Sequence, residues 1–264
     1  MLQLSSRLLS IDAEKTAIRI TCILKFYVEN VQASGVVVGM SGGLDSSVVT
    51  ALSARALGER RVTGICLPEA ETFNQKDVDD ASRLASDLKI NFHIVDISEA
   101  LEALTRVLPI FDPQSLLEKG NLKARIRMTV LYYFANKLNS LVVGTSNKSE
   151  ILTGYFTKYG DGASDLLPIG GLYKTQVYQL AHYLKIPEDI INKPPTAGLW
   201  PRQLDEEELG VKYETLDLIL QGFEFGLSTD EIAKQLELPK SLVESIRTRK
   251  LRSEHKRLGP LTIT

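Results

Sequence analysis

The residues with the clearest chemical potential form the run Ser-Gly-Gly-Leu-Asp-Ser at positions 41–46. The run follows a short apolar stretch, residues 35–40, and precedes a helical pattern. Two glycines permit a sharp turn and a close approach of backbone N–H groups to an anion, and a helix N-terminus adds partial positive charge. Because Asp45 would repel a bare phosphate, the run predicts a polyphosphate bound together with Mg²⁺.

Other loop types are weaker matches. A helix cap could use Ser41 or Asp45, with the glycines for the bend. A cap alone does not require Ser-Gly-Gly at one side and Asp-Ser at the other. The run lacks the Gly-Lys-Ser/Thr of a Walker A loop and the Gly-x-Gly-x-x-Gly of a dinucleotide site. We therefore favour a triphosphate site of another kind.

The elements that must position this run alternate between strands and helices. Apolar runs predict strands at 35–40, 62–67, 91–97 and 141–144. Helical patterns predict helices at 11–31, 44–57, 74–88, 98–107 and 114–139. Right-handed crossovers between such strands produce a doubly wound parallel α/β sheet with helices on both faces. Ligands bind beyond the carboxyl ends of its strands, where residues 39–46 and 144–150 fall.

The remainder of the chain reads as loop and helix. Residues 155–171 are rich in Gly and Asp, and residues 193–205 contain three prolines. Further helices are predicted at 174–184, 213–220, 228–236 and 240–251. We expect a single domain made of an N-terminal helix (1–34), an α/β core (35–185) and a Pro-rich loop with C-terminal helices (186–264).

Composition narrows the function classes. The 264 residues are 44% hydrophobic and 24% charged, which excludes a disordered or fibrous chain, and the net charge of −2 argues against a nucleic-acid coat. No apolar run approaches the roughly 18 residues of a membrane span, and the N-terminus lacks a signal-peptide pattern. Cys22 and Cys66 have no disulfide or metal-ligand spacing, so we expect two buried thiols in a cytoplasmic protein.

The run at 41–46 resembles the pyrophosphate loop of the ATP pyrophosphatases, which cleave ATP between the α and β phosphates. Other motifs resemble those of the NAD synthetases, in the same order along the chain. These motifs are GNLKARIRM at 120–128, Gly-Thr at 144–145 with Glu150, GYFTKYGDG at 154–162, Asp-Leu-Leu-Pro at 165–168, Lys-Thr-Gln at 174–176, Pro-Thr-Ala at 195–197, Glu-Leu-Gly at 208–210 and Ser-Glu-His-Lys-Arg at 253–257.

The resemblance implies an amide ligase that uses ATP, deamido-NAD and ammonia. ATP adenylates the nicotinate carboxylate, pyrophosphate leaves, and ammonia displaces AMP to give NAD. Activation is required because a carboxylate resists nucleophiles, and Mg²⁺ stabilises the charge on the phosphates. Two anionic substrates in one cleft need local cations, which Arg and Lys supply even in a chain of net charge −2.

The resemblance assigns roles by position. The implied ATP-binding residues are Gly39, Met40, Ser41, Gly42, Gly43, Leu44, Asp45, Ser46, Thr145, Lys174 and Thr196. The residues implied to bind deamido-NAD are Arg125, Lys158, Asp165, His255 and Lys256. The implied magnesium ligands are Asp45 and Glu150, and the implied catalytic residues are Asp45, Lys174 and Asp161, the last as a group that holds or deprotonates ammonium.

Composition alone leaves plainer alternatives for several of these positions. Glu150 could be a solvated helix residue, Arg125 an exposed helix charge and Lys158 a loop charge. Asp45 and Glu150 nevertheless follow two different strands of one predicted sheet, so their carboxylates can converge on one ion.

The chain also departs from the family pattern. Some members carry Asp-His-Ala-Ala where this chain has Ser-Asn-Lys-Ser at 146–149. About 34 residues precede the first strand, too few for an amidotransferase domain, and no early Cys offers a nucleophile. We expect free ammonia as the nitrogen source, with a separate ammonia-delivering protein as an alternative. Family members are homodimers with a helix equivalent to residues 114–139 at the interface, and the apolar content here permits the same arrangement.

Three other functions compete. Residues 227–243 resemble a helix-turn-helix, and the basic stretch 247–257 would suit DNA, although two short helices are a common packing unit. A tRNA-thiolating enzyme could use the same loop, but Cys22 and Cys66 are poorly placed and the chain is not basic. A non-catalytic nucleotide sensor would not need both Asp45 and Glu150.

Overall fold

The computed structural model describes residues 3–263. Its sheet has the strand order β3-β2-β1-β4, and each neighbouring pair is parallel. The strands are β1 (Gly35–Gly39), β2 (Val62–Cys66), β3 (Asn91–Ile94) and β4 (Ser140–Val143). The prediction of a doubly wound parallel α/β fold is confirmed.

Helices surround the sheet and extend beyond it toward the C-terminus. The α-helices of the described residues are α1 (Ala13–Asn30), α2 (Leu44–Leu57), α3 (Gln75–Asp87), α4 (Ser98–Val107), α5 (Leu116–Lys137), α6 (Lys148–Thr153), α7 (Lys174–Tyr183), α8 (Glu188–Ile191), α9 (Asp205–Leu209), α10 (Tyr213–Glu224), α11 (Thr229–Gln235), α12 (Lys240–Arg252) and α13 (Glu254–Arg257). No helix within residues 3–263 combines the length and apolar composition that a membrane crossing requires.

The alternation of side chains along β1 separates two cores. Val36 and Val38 pack with residues of α1, α2, α3 and α7, whereas Val37 packs with residues of α4 and α5 on the opposite face. The chain leaves β1 through α2 toward β2, and later reaches β4 on the other side of β1 after α5. This reversal puts the crevice of the sheet at the carboxyl ends of β1 and β4.

A third core lies among the C-terminal helices. Leu216, Ile219, Ile232 and Val243 of α10, α11 and α12 are fully buried in it, and the N-terminal segment contributes Leu4. The pair α11–α12, which resembles a helix-turn-helix in sequence, thus buries its apolar face against α10 and the chain start.

The prediction of two buried thiols was wrong for Cys22. Cys66 is buried at the end of β2, but Cys22 is exposed on α1. Leu24 and Val28 of α1 face the core, as its apolar spacing indicates, but Thr21 is buried in place of Ile18, which is exposed. Thr21 can face the core because its hydroxyl donates to the carbonyl of Ala17 at 2.9 Å, which satisfies the buried polar group.

Candidate active site

The phosphate loop, residues 39–46, joins β1 to α2. Gly43 is the N-cap of α2, and no side chain accepts a hydrogen bond from the first turn as a cap would. The hydroxyls of Ser41 and Ser46 lie 3.1 Å apart, and Ser46 Oγ also donates to the carbonyl of Gly43 at 3.1 Å. The structure therefore does not use Ser41 or Asp45 to cap this helix, and the N–H groups of the first turn remain available to an anion.

Asp45 and Glu150 converge on a single ammonium group. Lys174 Nζ, at the start of α7, hydrogen-bonds Asp45 Oδ2 and lies 4.0 Å from Glu150 Oε1. The side chain of Lys174 is 3% exposed, and those of Asp45 and Glu150 are 18% and 15% exposed. Glu150 is therefore not the solvated helix residue that composition alone allowed, and three sequence-predicted residues form one cluster.

Burial and mutual charge shift the pKa values in this cluster. Burial, reinforced by the neighbouring Asp45 carboxylate, raises the pKa of Glu150 well above its usual range. Burial alone would lower the pKa of Lys174, but the two carboxylates outweigh it and raise that pKa. The ammonium is thus held charged, and the cluster carries net negative charge when both carboxylates are ionised.

Asn147 links the two carboxylates and was missed in the sequence. Its amide nitrogen donates to Asp45 Oδ1 at 3.2 Å, and its carbonyl oxygen accepts the backbone N–H of Glu150 at 3.1 Å. Glu150 Oε2 in turn accepts the backbone N–H of Asn147 at 3.1 Å, which completes a capping box at the start of α6. The spacing Asn-x-x-Glu is the sequence signal that would have found it.

Asp217 of α10 holds the helices that carry Lys174 and Glu150. This carboxylate is fully buried and accepts the hydroxyl of Ser149 and, at 2.9 and 2.8 Å, the N–H and hydroxyl of Thr175. Ser149 Oγ also accepts the backbone N–H of Lys174 at 2.9 Å. Because Ser149 precedes Glu150 and Thr175 follows Lys174, Asp217 fixes the relative position of both functional side chains.

Asp217 also makes a pH-dependent contribution to stability. Burial raises its pKa to about 6. The folded state then binds the proton more tightly than the unfolded chain, so stability falls as pH rises from about 4 to about 6. One pKa unit corresponds to about 1.4 kcal/mol. Between pH 4 and 7 we therefore expect the free energy of unfolding of wild type to fall by about 3 kcal/mol more than that of Asp217→Asn. Urea denaturation across this range measures the difference; parallel curves would contradict it.

The remaining ATP-binding predictions fall at two places. Thr145 follows β4 directly after Gly144 and is half-buried. Thr196 is exposed on the Pro-rich segment, residues 193–204, where its hydroxyl accepts the N–H of Gly198 at 3.1 Å. These two assignments stay predictions.

Four of the residues predicted to bind deamido-NAD meet around the loop after α6. Arg125 donates to the carbonyl of Lys158 at 3.3 Å, and Lys158 Nζ donates to the carbonyl of His255 at 2.7 Å. Lys256 Nζ donates to the carbonyls of Gly154 and Phe156, each at 2.8 Å. The structure thus gathers a basic group here, in which three of the four side chains also hold backbone.

Two acidic predictions differ in setting. Asp165 lies at the outer edge of β4, where it accepts the N–H of Val142 at 2.7 Å and the hydroxyl of Tyr132 at 3.2 Å. Those bonds give it a structural role at the sheet edge. Asp161 is exposed and accepts the N–H of Thr157 at 2.8 Å. Its remaining oxygen is available for a further partner.

Comparison with known proteins adds an independent observation. The family model described as NAD synthase matches residues 17–260, which is most of the chain. The chain belongs to the NAD synthase family. A relative named NH(3)-dependent NAD(+) synthetase from Methanocaldococcus jannaschii is 49% identical over 251 residues, covering 94% of this chain and 96% of that protein.

Solved structures agree with this membership of the NAD synthase family. The NMN synthetase of Francisella tularensis superposes with a TM-score of 0.85 at 36% identity, covering 96% of this chain and 99% of that chain. The NH3-dependent NAD synthetase of Campylobacter jejuni, in complex with the nitrate ion, gives a TM-score of 0.81 at 34% identity and covers 97% and 100% of the two chains.

The donor set of the cluster fits Mg²⁺. Magnesium takes oxygen ligands and is held in nucleotide enzymes by one or two carboxylates together with substrate phosphates. Asp45 and Glu150 supply two carboxylates at the end of the crevice, beside the phosphate loop. The ammonium of Lys174 pairs with Asp45 and lies 4.0 Å from Glu150, so it offsets one of the two negative charges.

Proposed function

We propose that this protein catalyses the ATP-dependent amidation of deamido-NAD to NAD with ammonia. Membership of the NAD synthase family, with a 49% identical NH(3)-dependent NAD(+) synthetase among its relatives, carries the proposal. The cluster of Asp45, Glu150 and Lys174 beside the phosphate loop supports it, because adenylation requires both a phosphate site and a cation site.

The proposed reaction has two steps, adenylation of the carboxylate and displacement of AMP by ammonia. The phosphate loop binds the triphosphate, and the nicotinate carboxylate attacks the α-phosphorus so that the bond to the bridging oxygen of pyrophosphate breaks. Lys174 offsets the negative charge that develops near the leaving group. Ammonia then attacks the acyl carbon, AMP leaves with the bonding electrons, and the nitrogen releases one proton to give the amide. Magnesium, held by Asp45 and Glu150, would act as a Lewis acid on the phosphates.

A mononucleotide is the second candidate substrate. The NMN synthetase of Francisella tularensis superposes with a TM-score of 0.85, so we infer nicotinate mononucleotide as the alternative acceptor for this chain. Both acceptors carry the nicotinate carboxylate, and they differ in the AMP half of deamido-NAD. The basic group of Arg125, Lys158, His255 and Lys256 would favour the larger acceptor if it contacts that half.

A direct assay tests both candidates. Purified protein is mixed with ATP, Mg²⁺, ammonium and either acceptor, and the amide product, AMP and pyrophosphate are counted. We expect equal amounts of all three and a kcat/KM for deamido-NAD at least about tenfold above that for the mononucleotide. A reversed ratio would establish the mononucleotide enzyme, and untouched ATP would refute the ligase. Repetition with glutamine distinguishes free ammonia from delivery by a separate protein.

We infer that Asp161 holds or deprotonates ammonium. Its position in the Gly- and Asp-rich loop and its available oxygen support this role. Asp161→Asn should raise the KM for ammonium about tenfold, because a neutral amide binds a cation poorly, and should leave the KM for ATP unchanged. Initial rates against ammonium concentration measure the effect. Normal ammonium dependence would exclude the assignment.

We propose that the protein forms a homodimer through α4, α5 and the turn between them. Leu117 and Tyr133 of α5 are 59% and 69% exposed, and Val107 and Ile110 near the end of α4 are 72% and 92% exposed. An exposed apolar surface of this kind suits a symmetric contact. Sedimentation of wild type and of Leu117→Glu should show a dimer and a monomer, respectively; two dimers would contradict this surface.

We also propose a cytoplasmic location. An exposed thiol without a disulfide partner, Cys22, is compatible with a reducing compartment.

A further inference from the structure

We propose that Lys193 is a positioning residue of the phosphate loop, which holds the peptide between Gly42 and Gly43 in the orientation that receives the triphosphate. The inference rests on the proposed function, because it assigns a role at the same site. Lys193 lies outside every sequence motif considered for ATP and more than 140 residues from the loop, and it acts through the backbone of Gly42 rather than on substrate.

The ammonium of Lys193 has three oxygen atoms at short range. Its Nζ lies 2.8 Å from the carbonyl oxygen of Gly42, 2.6 Å from Asp77 Oδ1 and 2.7 Å from Asp80 Oδ2. The contacts to Gly42 and Asp77 are hydrogen bonds, whereas Asp80 Oδ2 contributes an ion pair without hydrogen-bond geometry. The side chain of Lys193 is 18% exposed and that of Asp80 is 5% exposed. The contact is therefore a sheltered, charge-assisted hydrogen bond to a loop carbonyl.

The backbone of the loop makes this bond consequential. Gly42 has a φ of +76°, and a Cβ built there would lie 2.2 Å from the carbonyl oxygen of Asp77. The start of α3 thus backs the loop closely. Because the peptide is planar and trans, its C=O and N–H point in opposite directions. Holding the Gly42 carbonyl on the Lys193 side turns the Gly43 N–H, at the N-cap of α2, to the other side, where it donates to Ser41 Oγ at 3.3 Å.

Neighbouring positive charges keep Asp80 in place. Asp80 also pairs with Lys76 and Arg83, at 3.4 and 2.9 Å, so it does not depend on Lys193 for a counter-charge. Lys76 is more exposed and makes no hydrogen bond to the phosphate loop among the described residues. Lys193 is thus the member of this ion cluster that transmits its position to the Gly42 carbonyl.

The same side chain couples the loop to the Pro-rich segment. Lys193 begins that segment, three residues before Thr196, which we predict to contact ATP. Farther along, the carbonyl of Leu199 accepts the ammonium of Lys123 at 3.0 Å, and Lys123 is fully buried. The segment is anchored at two points, and one of those anchors also fixes the phosphate loop. The ammonium of Lys193 therefore connects the phosphate loop to the Pro-rich segment that carries Thr196.

Binding measurements with two matched variants test the role. Lys193→Met removes the ammonium that contacts Gly42, and Lys76→Met removes a cation from the same acidic cluster without touching the loop. Calorimetry in the presence of Mg²⁺ gives Kd values for ATP, pyrophosphate and deamido-NAD. We expect Lys193→Met to weaken ATP and pyrophosphate about tenfold while the Kd of deamido-NAD changes less than about twofold. Lys76→Met should change none of them more than about twofold, and Lys193→Arg should restore most of the lost affinity.

Several results would overturn the inference. An unchanged pyrophosphate Kd in Lys193→Met, an equal effect of Lys76→Met, or an equal weakening of all three ligands would each contradict a specific role at the loop. If Lys193→Met does not fold, the same Kd values are measured with Lys193→Gln, whose side chain retains a neutral N–H donor. Wild type that forms no NAD but binds pyrophosphate in this pattern would refute the proposed function and leave the positioning role standing.

Discussion

Asp45→Asn is expected to lower kcat by at least about 100-fold while raising the Kd of ATP less than about fivefold. The carboxylate is one of two that can hold Mg²⁺ against the reacting phosphates, and charge stabilisation realised in the transition state affects turnover more than binding. A loss of 100-fold corresponds to about 2.7 kcal/mol of barrier. The N–H groups of the phosphate loop, which we propose to bind the triphosphate, are unchanged by the substitution.

Single-turnover AMP formation and calorimetric ATP binding measure the two quantities separately. Glu29→Gln is a suitable control, because Glu29 is an exposed carboxylate on α1 whose only ion pairs among the described residues are with Lys25 and Arg61. It should behave as wild type. Equal losses of kcat and ATP affinity in Asp45→Asn would mean that the carboxylate serves ground-state binding instead.

Lys174→Met is expected to lower kcat by at least about 100-fold but to strengthen the binding of a divalent metal ion in the absence of ATP. The ammonium occupies the space between Asp45 and Glu150 in the structure, so it competes with a divalent cation for the same oxygens. Its removal leaves two uncompensated carboxylates, which favour a doubly charged ion. Turnover falls because the charge beside the leaving phosphate is lost.

Manganese binding followed by electron paramagnetic resonance tests this opposite pair of effects. At pH 8 we expect a several-fold lower Kd for Mn²⁺ in Lys174→Met and a higher Kd in Asp45→Asn. A near-ultraviolet circular dichroism spectrum equal to that of wild type establishes that the buried site has not collapsed. Weaker Mn²⁺ binding in Lys174→Met would show that the lysine organises the carboxylates rather than competing for them.

Local chemistry explains which parts of the site could be predicted from the sequence. The phosphate loop depends on adjacent residues, and the meeting of Asp45 with Glu150 follows from parallel strands that share a carboxyl edge. Asp217 contacts Thr175, which is 42 positions away in the sequence, and Lys193 contacts Gly42, which is 151 positions away. No local sequence pattern encodes such pairs. Resemblance to a family supplied Lys174, since nothing in its own spacing points to the carboxylates.

The buried face of α1 also separates what the local sequence predicts from what tertiary packing decides. Apolar periodicity identified the helix, but Thr21 forms part of its buried face because its hydroxyl donates to the carbonyls of the preceding turn. Periodicity counts such residues as polar, so it rotated the expected face and placed Cys22 inside. Tertiary packing, rather than helix propensity, decides which stripe is covered.

The core that joins Leu4 and Leu9 to α10, α11 and α12 has a consequence for synthesis of the chain. A ribosome releases residues 3–9 before residues 213–252, so this core cannot close until α10, α11 and α12 have been synthesised. The sheet needs only residues 35–143 and can assemble earlier. The growing chain therefore carries Leu4 and Leu9 as uncovered apolar groups until α10, α11 and α12 have emerged, and a nascent-chain chaperone can bind them during that interval.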